Sequence, residues 1–208
     1  MAYLDPAYLS TGSYGQGGTL PHHAHLLPKI LEILPAKSGL RILDVGCGNG
    51  YLASELVKRG HTVVGIDFDE KALAIARKHH PEIRVSHQKA EDRLRQFMED
   101  ADVVIAIEVI EHIYSPQTFL ANVLETLKPG GSVILTTPYH GYWKNLAVAA
   151  LGKWDGIFTV HWEGGHIKFF STASMKRMLE VAGFKSPRFR NAGRFPPFFK
   201  SIVVRAEK

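Results

Sequence analysis

Leu40-Arg41-Ile42-Leu43-Asp44-Val45-Gly46-Cys47-Gly48-Asn49-Gly50 is the stretch that decides the fold. Leu40 to Leu43 is a short apolar segment and reads as a buried parallel strand; Tyr51 to Arg59, behind the glycines, reads as a helix. A glycine-rich turn from strand to helix lets the backbone approach a ligand that side chains would hold off. No Gly-Lys-Ser/Thr follows, which excludes a P-loop, and Gly46-x-Gly48-x-Gly50 misses the Gly-x-Gly-x-x-Gly of dinucleotide sites. Asp44 stands at the strand end, where its carboxylate can accept a hydrogen bond from an ammonium. A nucleoside with an amino-acid tail and no phosphates fits this turn better than a dinucleotide does.

A second acid extends that reading. His61 to Asp67 reads as the next strand, and Asp67 lies about 20 residues past the glycines, where a ribose diol is gripped. Phe68 beside it offers a flat face for a base. Cys47, the single cysteine of the chain, sits in the turn where a small side chain is needed; no disulfide can form within the chain, and the residue reads as packing.

Strand and helix alternate from Leu40 to Thr137, which predicts a parallel sheet with helices on both faces. Helices are expected over Lys71 to His80, Glu91 to Met98 and Pro116 to Leu127, with strands over Ile83 to Ser86, Ala101 to Ile107 and Ser132 to Thr137. Residues 138–171 hold all three tryptophans, Trp143, Trp154 and Trp162, and are too long for a plain connection. They read as a substrate-covering insertion after the fifth strand, with an apolar helix over Tyr142 to Leu151. The alternative reading of that helix is one that dips into a membrane surface, with Lys144 and Lys153 near its ends. Ser171 caps a helix over Thr172 to Ala182, and two strands finish the domain. Residues 1–36 read as an amino-terminal lid and helix, with Tyr14 able to fold over a ligand and His22, His23 and His25 ahead of an apolar helix from Leu26.

The 208 residues amount to one domain with an ordinary soluble composition, 45% apolar and 22% charged. No signal peptide and no membrane-spanning run is visible, so a cytoplasmic setting is the expectation. The net charge is +5, and from Ser171 onward nine basic residues face two acidic ones. Such an excess can attract RNA or an anionic membrane surface, or can simply be solvated.

The chain resembles the class I S-adenosylmethionine-dependent methyltransferases, on Leu43 to Gly50, Gly65-Ile66-Asp67, Lys89-Ala90-Glu91-Asp92 and Leu127-Lys128-Pro129-Gly130-Gly131. The resemblance implies a Rossmann-like, mostly parallel seven-stranded sheet. It implies S-adenosylmethionine at the carboxyl ends of the first strands, with Asp44, Gly46, Cys47, Gly48, Asn49 and Gly50 near its methionine part. Asp67 would lie on the ribose, Phe68, Ala90 and Glu91 around adenine, and Ile107 and Glu108 along the fourth strand's end.

Glu108-Val109-Ile110-Glu111-His112 stands where an acceptor would meet the methyl group. Two carboxylates and an imidazole within five positions can hold a hard cation such as Mg²⁺; equally, Glu111 and His112 can cap or orient the loop. His112 is the preferred general base, assisted by Glu111, with His140, His161 and His166 as rivals. Glu108-x-x-Glu111-His112 is similar to the motif of the O-methyltransferases of ubiquinone biosynthesis, which methylate a catechol hydroxyl. That similarity implies a divalent metal on Glu108, Glu111 and His112. The chain departs from the family at Gly164-Gly165-His166-Ile167, where Gly-Thr-His-Asp is usual. The expected activity is methyl transfer to a small organic acceptor, preferably at oxygen; RNA methylation and a non-catalytic cofactor-binding role are the alternatives. DNA is not an expected partner, peripheral membrane contact is left open, and the oligomeric state is not legible.

Overall fold

A computed structural model describes residues 17–158 and 165–208. Seven strands form one sheet: β1 Arg41–Val45, β2 Thr62–Asp67, β3 Arg84–His87, β4 Ala101–Ile107, β5 Leu127–Pro138, β6 Lys185–Ala192 and β7 Ser201–Glu207. Their order is β3-β2-β1-β4-β5-β7-β6, parallel throughout except that β7 runs antiparallel to both β5 and β6. Helices connect them: α1 His23–Ile33, α2 Tyr51–Val57, α3 Glu70–His79, α4 Pro116–Thr126, α5 Tyr142–Ala150, α6 Trp154–Phe158 and α7 Thr172–Val181.

The strands read as continuous apolar runs because both faces of the sheet are covered. Leu43, Val45, Val104 and Ala106 pack on one side against Phe119, Leu120 and Val123 of α4 and Met175 and Leu179 of α7. Ile42, Val63, Val103 and Ile105 pack on the other against Leu26 and Ile30 of α1 and Leu52 and Leu56 of α2. Truncating the fully buried Phe119 to Ala would cost about 3–5 kcal/mol. Strand order reverses between β1 and β4, which opens a crevice at their carboxyl ends.

Two expectations change. The helix over Glu91 to Met98 is only a 3₁₀ turn, Leu94–Gln96; of that stretch only Leu94 and Met98 are buried, with Phe97 packed against the core beside them. Helix α1 starts at His23, so His23 and His25 lie within it. Residues 138–158 form two short helices of which α5 buries no side chain, so it does not pack as core. Tyr14, His161 and Trp162 lie outside the described residues.

Candidate cofactor crevice and acceptor rim

β1 ends in a turn that the neighbouring strand holds open: the N–H groups of Gly46 and Cys47 donate to Ile66 O at 2.8 and 3.0 Å. Gly46 has φ +75°, and a Cβ there would lie 2.4 Å from Val109 Cγ2, so this position requires glycine. Gly48 N–H donates to Asp67 Oδ2 and Asp69 N–H to Asp67 Oδ1, each at 2.8 Å. These bonds aim the second acid into the crevice that the first acid closes.

That crevice has a volume of about 370 Å³. From the β1 turn it is lined by Asp44, Gly46, Cys47, Gly48 and Asn49, and from the β2 end by Asp67 and Phe68. Ala90, Ile107, Glu108 and His112 complete the expected set. Gly50 and Glu91 stand apart from it. Gly50, at φ +79°, lets the turn close on α3, since a Cβ would lie 3.0 Å from Ala76 Cβ. Glu91 instead offers its carbonyl to Asn122 Nδ2 at 2.7 Å. Leu20, His22, His23, Leu52, Gln88 and Val109 also line the crevice. Gln88 follows β3 directly, its N–H on Asp67 O, a placement that strand register fixes and spacing along the chain does not.

Asp44 is 1% exposed, and neither carboxyl oxygen meets a hydrogen-bond donor among the described residues. Burial, and then the charge of Asp67, push its pKa up to about 8. A buried acid left this way is one that a cationic partner would satisfy. Burial likewise raises Asp67, against the backbone N–H groups that lower it. The Cys47 thiol is pushed well up by burial and by both acids, which leaves it inert and in keeping with a packing role. Its sulfur fills the space beside Gly65, where a Cβ would come within 2.7 Å of Sγ. On the amino-terminal side, Asn49 Nδ2 donates to Gly18 O at 2.9 Å and fastens that segment over the turn. Burial lowers His22 and His23 to about 4, so both imidazoles face the crevice neutral. His25 turns away toward Ser201 Oγ, at 3.5 Å.

The rim at the end of β4 is built differently. Glu108 adopts φ +54°, held there by its N–H on Thr136 Oγ1 at 2.9 Å and by the Thr136 hydroxyl donating to Oε1 at 2.8 Å. Burial raises its pKa to about 7, against Thr136, Ser201 and Lys144, which favour the anion. Glu111 is fully buried, its carboxyl oxygens without a donor at bonding geometry among the described residues, and burial with the Glu108 charge raises it well above the carboxylate range. The N–H groups of Ile167 and Lys168 both donate to Glu111 O at 3.0 Å. That stitch delivers His166, whose ring lies 4.9 Å from His112. Ligand atoms of Glu111, His112 and His166 all lie within 4.8 Å of one another. Glu108, grouped with Glu111 and His112 in the sequence reading, is not one of this trio, and His166 is. His140 packs on Phe169, ring centroids 5.2 Å apart, at the edge of a second cavity of about 280 Å³ shared with Tyr139, Tyr142 and Ser171.

Residues 21–186 match a family described as "Methyltransferase domain". A ubiquinone biosynthesis O-methyltransferase of Dinoroseobacter shibae is 37% identical over 71% of this chain and 60% of its own length. One from Aeromonas salmonicida is 32% identical over 81% of this chain and 74% of its own. The chain thus spans 60% and 65% of the first two such relatives. In structure it is similar to magnesium protoporphyrin IX methyltransferase of Synechocystis, solved with bound SAH, at TM-score 0.73 and 20% identity over 98% of this chain and 97% of that one. It is also similar to an S-adenosylmethionine-dependent methyltransferase of Mesorhizobium loti, at TM-score 0.68 and 20% identity over 87% and 96%. With the sheet order, the glycine turn and the two acids in agreement, the chain belongs to the methyltransferase-domain family.

Proposed function

We propose that this protein transfers a methyl group from S-adenosylmethionine to a hydroxyl of a small organic acceptor. Asp44 carries the reading: a buried carboxylate without a partner among the described residues, on a crevice of nucleoside size, suits the ammonium of a methionine tail. Asp67 would take the ribose hydroxyls, with Phe68 and Ala90 beside adenine and Glu108 toward the sulfonium. The methyl carbon is already activated, so the protein's share is alignment and removal of one proton. The acceptor oxygen attacks the methyl carbon in line, the sulfur–methyl bond breaks to leave a thioether, and the hydroxyl proton passes to an imidazole. His112 is placed for this, since it lines the crevice on the rim and Gly165 O, 3.2 Å from Nδ1, orients its ring.

Alternatively, Glu111, His112 and His166 fit a divalent cation, and His112 would then be a ligand to it in place of the proton acceptor. The orphaned buried carboxyl of Glu111 and the close approach of the three donor atoms support this. One carboxylate with two imidazoles suits Zn²⁺, Mn²⁺ or Fe²⁺ better than the Mg²⁺ that two carboxylates would favour. When bound, such an ion would lower the pKa of the acceptor hydroxyl.

Oxygen is favoured over RNA as the acceptor class. The relatives are named as O-methyltransferases, and part of the basic excess is engaged in ion pairs along the last two strands, Arg190 of β6 with Glu32 and Arg205 of β7 with Glu207. Mass spectrometry of a panel of catechols incubated with protein and S-adenosylmethionine tests the reading. At least one catechol should gain a methyl group, and His112→Ala should slow that turnover by roughly 10²–10⁴-fold. A protein that binds the cofactor yet methylates only RNA would overturn it.

A further inference from the structure

The crevice is lined by the acids Asp44, Asp67 and Glu108 and, among the described residues, by neither lysine nor arginine. A methionine tail carries two charged groups on one carbon, an ammonium and a carboxylate. Asp44 suits the first. The second needs a donor close by, because a carboxylate taken out of water without one is costly. Several polar side chains of the lining are already committed. Asn49 Nδ2 donates to Gly18 O, and Gln88, at the β3 end, donates to Asp92. His112 stands on the acceptor rim with Nδ1 on Gly165 O. The histidines at the start of α1, His22 and His23, are left.

His23 is the better fixed of the two. It is 7% exposed and sits in the first turn of α1, which Leu26 and Ile30 anchor in the core. Its ring stacks on Tyr51, the first residue after the glycine turn, with centroids 5.0 Å apart and planes 20° from parallel. Leu20 N–H donates to Nδ1 at 3.0 Å. Burial holds the imidazole neutral, with its pKa at about 4. A neutral ring that accepts at Nδ1 carries its proton at Nε2, and no hydrogen bond engages Nε2 among the described residues.

We infer that His23 Nε2–H donates to the α-carboxylate of the S-adenosylmethionine tail and sets a preference for the intact amino acid over a bare amine. The identity of the ligand rests on the proposed function; the role of His23 is additional to it. Asp44 of β1 and His23 of α1 would then hold the two charged groups of one carbon. The donor's neutrality matters: a lysine or arginine here would pair with Asp44 and compete with the ammonium, whereas a neutral imidazole leaves that acid to the ligand.

The test is titration calorimetry of the whole chain with two ligands, S-adenosylmethionine and its decarboxylated form, which keeps nucleoside, sulfonium and amine. The parent should bind the first about 10–100-fold tighter than the second. His23→Asn can still accept from Leu20 N–H but does not reach the place of Nε2. It should shrink that ratio to within about threefold, by weakening S-adenosylmethionine alone. His23→Gln, whose amide nitrogen reaches that place, should keep a ratio of about tenfold. Each ratio compares two ligands on one protein, so a change in a variant's stability does not enter it. A purely structural His23 would weaken both ligands alike in His23→Asn and leave the ratio at the parent's value. That result overturns the inference and leaves the cofactor assignment standing, as does a parent that binds both ligands equally. It is overturned too if His23→Gln loses as much of the ratio as His23→Asn. A parent that binds neither ligand removes the proposed function itself, and this inference with it.

Discussion

The two ends of the crevice are made in opposite ways. At the cofactor end, one strand, one turn and the next strand's terminal acid suffice, all within residues 40–68, and local backbone bonds fix the turn and Asp67. At the acceptor end the groups come from remote parts of the chain: Glu111 and His112 after β4, His166 some fifty residues on, Lys144 from α5. On the proposed function the first end would hold a ligand whose chemistry is fixed, whereas the second could change its substrate without disturbing the turn.

The sharpest separation of the two ends comes from Glu111→Gln. It removes the only carboxylate of the Glu111, His112 and His166 trio, so turnover should fall by about 100-fold or more, while the cofactor Kd measured by calorimetry stays within about twofold. A parallel loss of cofactor binding would mean the two ends are not independent. His166→Ala should give a smaller loss of turnover, and a chelator should reproduce it if a cation is held there.

Within the cofactor end, two glycines make a narrower contrast. Gly46→Ala forces a Cβ to 2.4 Å from Val109 Cγ2, in a backbone region that alanine disfavours, and should weaken cofactor binding by about tenfold or more. Gly50→Ala meets Ala76 instead and should cost about 1–3 kcal/mol of stability in urea melts, with cofactor affinity nearly retained.

A subtler effect concerns pH. The folded pKa of Asp44, about 8, lies above its unfolded value of 3.8. The ligand-free fold is therefore favoured by this group below pH 4, and that contribution is lost as pH rises to 8. Asp44→Asn should remove this loss, so its stability advantage over the parent should grow between pH 5 and pH 8 by up to a few kcal/mol. A constant difference across that range would contradict the assignment. On the same grounds, S-adenosylmethionine should displace a proton on binding at pH 7, visible as a dependence of the calorimetric enthalpy on the buffer.

Much of this was legible in the sequence, for a physical reason. Leu40 to Gly50 and His61 to Asp67 each carry their own apolar pattern and turn chemistry, so strand, turn and acid could be placed without knowing the rest. The buried runs of β4 and β5 were equally plain. His166 was among the rival bases, but its grouping with Glu111 and His112 was hidden, because it arrives by two backbone bonds to Glu111 O and no spacing rule reaches across the intervening residues. The outward turn of Trp143 and Leu146 was hidden too, since a helical apolar stripe reads the same whether it meets a core or the solvent.

The central claim is that the β1 turn and its two acids hold a cationic sulfur nucleoside. Titration calorimetry of the whole chain with S-adenosylmethionine tests it most directly, with Asp44→Ala as the paired variant. The parent should bind one equivalent, and the variant should bind at least about 30-fold more weakly while keeping its circular dichroism spectrum. No heat from the parent at millimolar ligand, or equal affinity in the variant, would contradict the account.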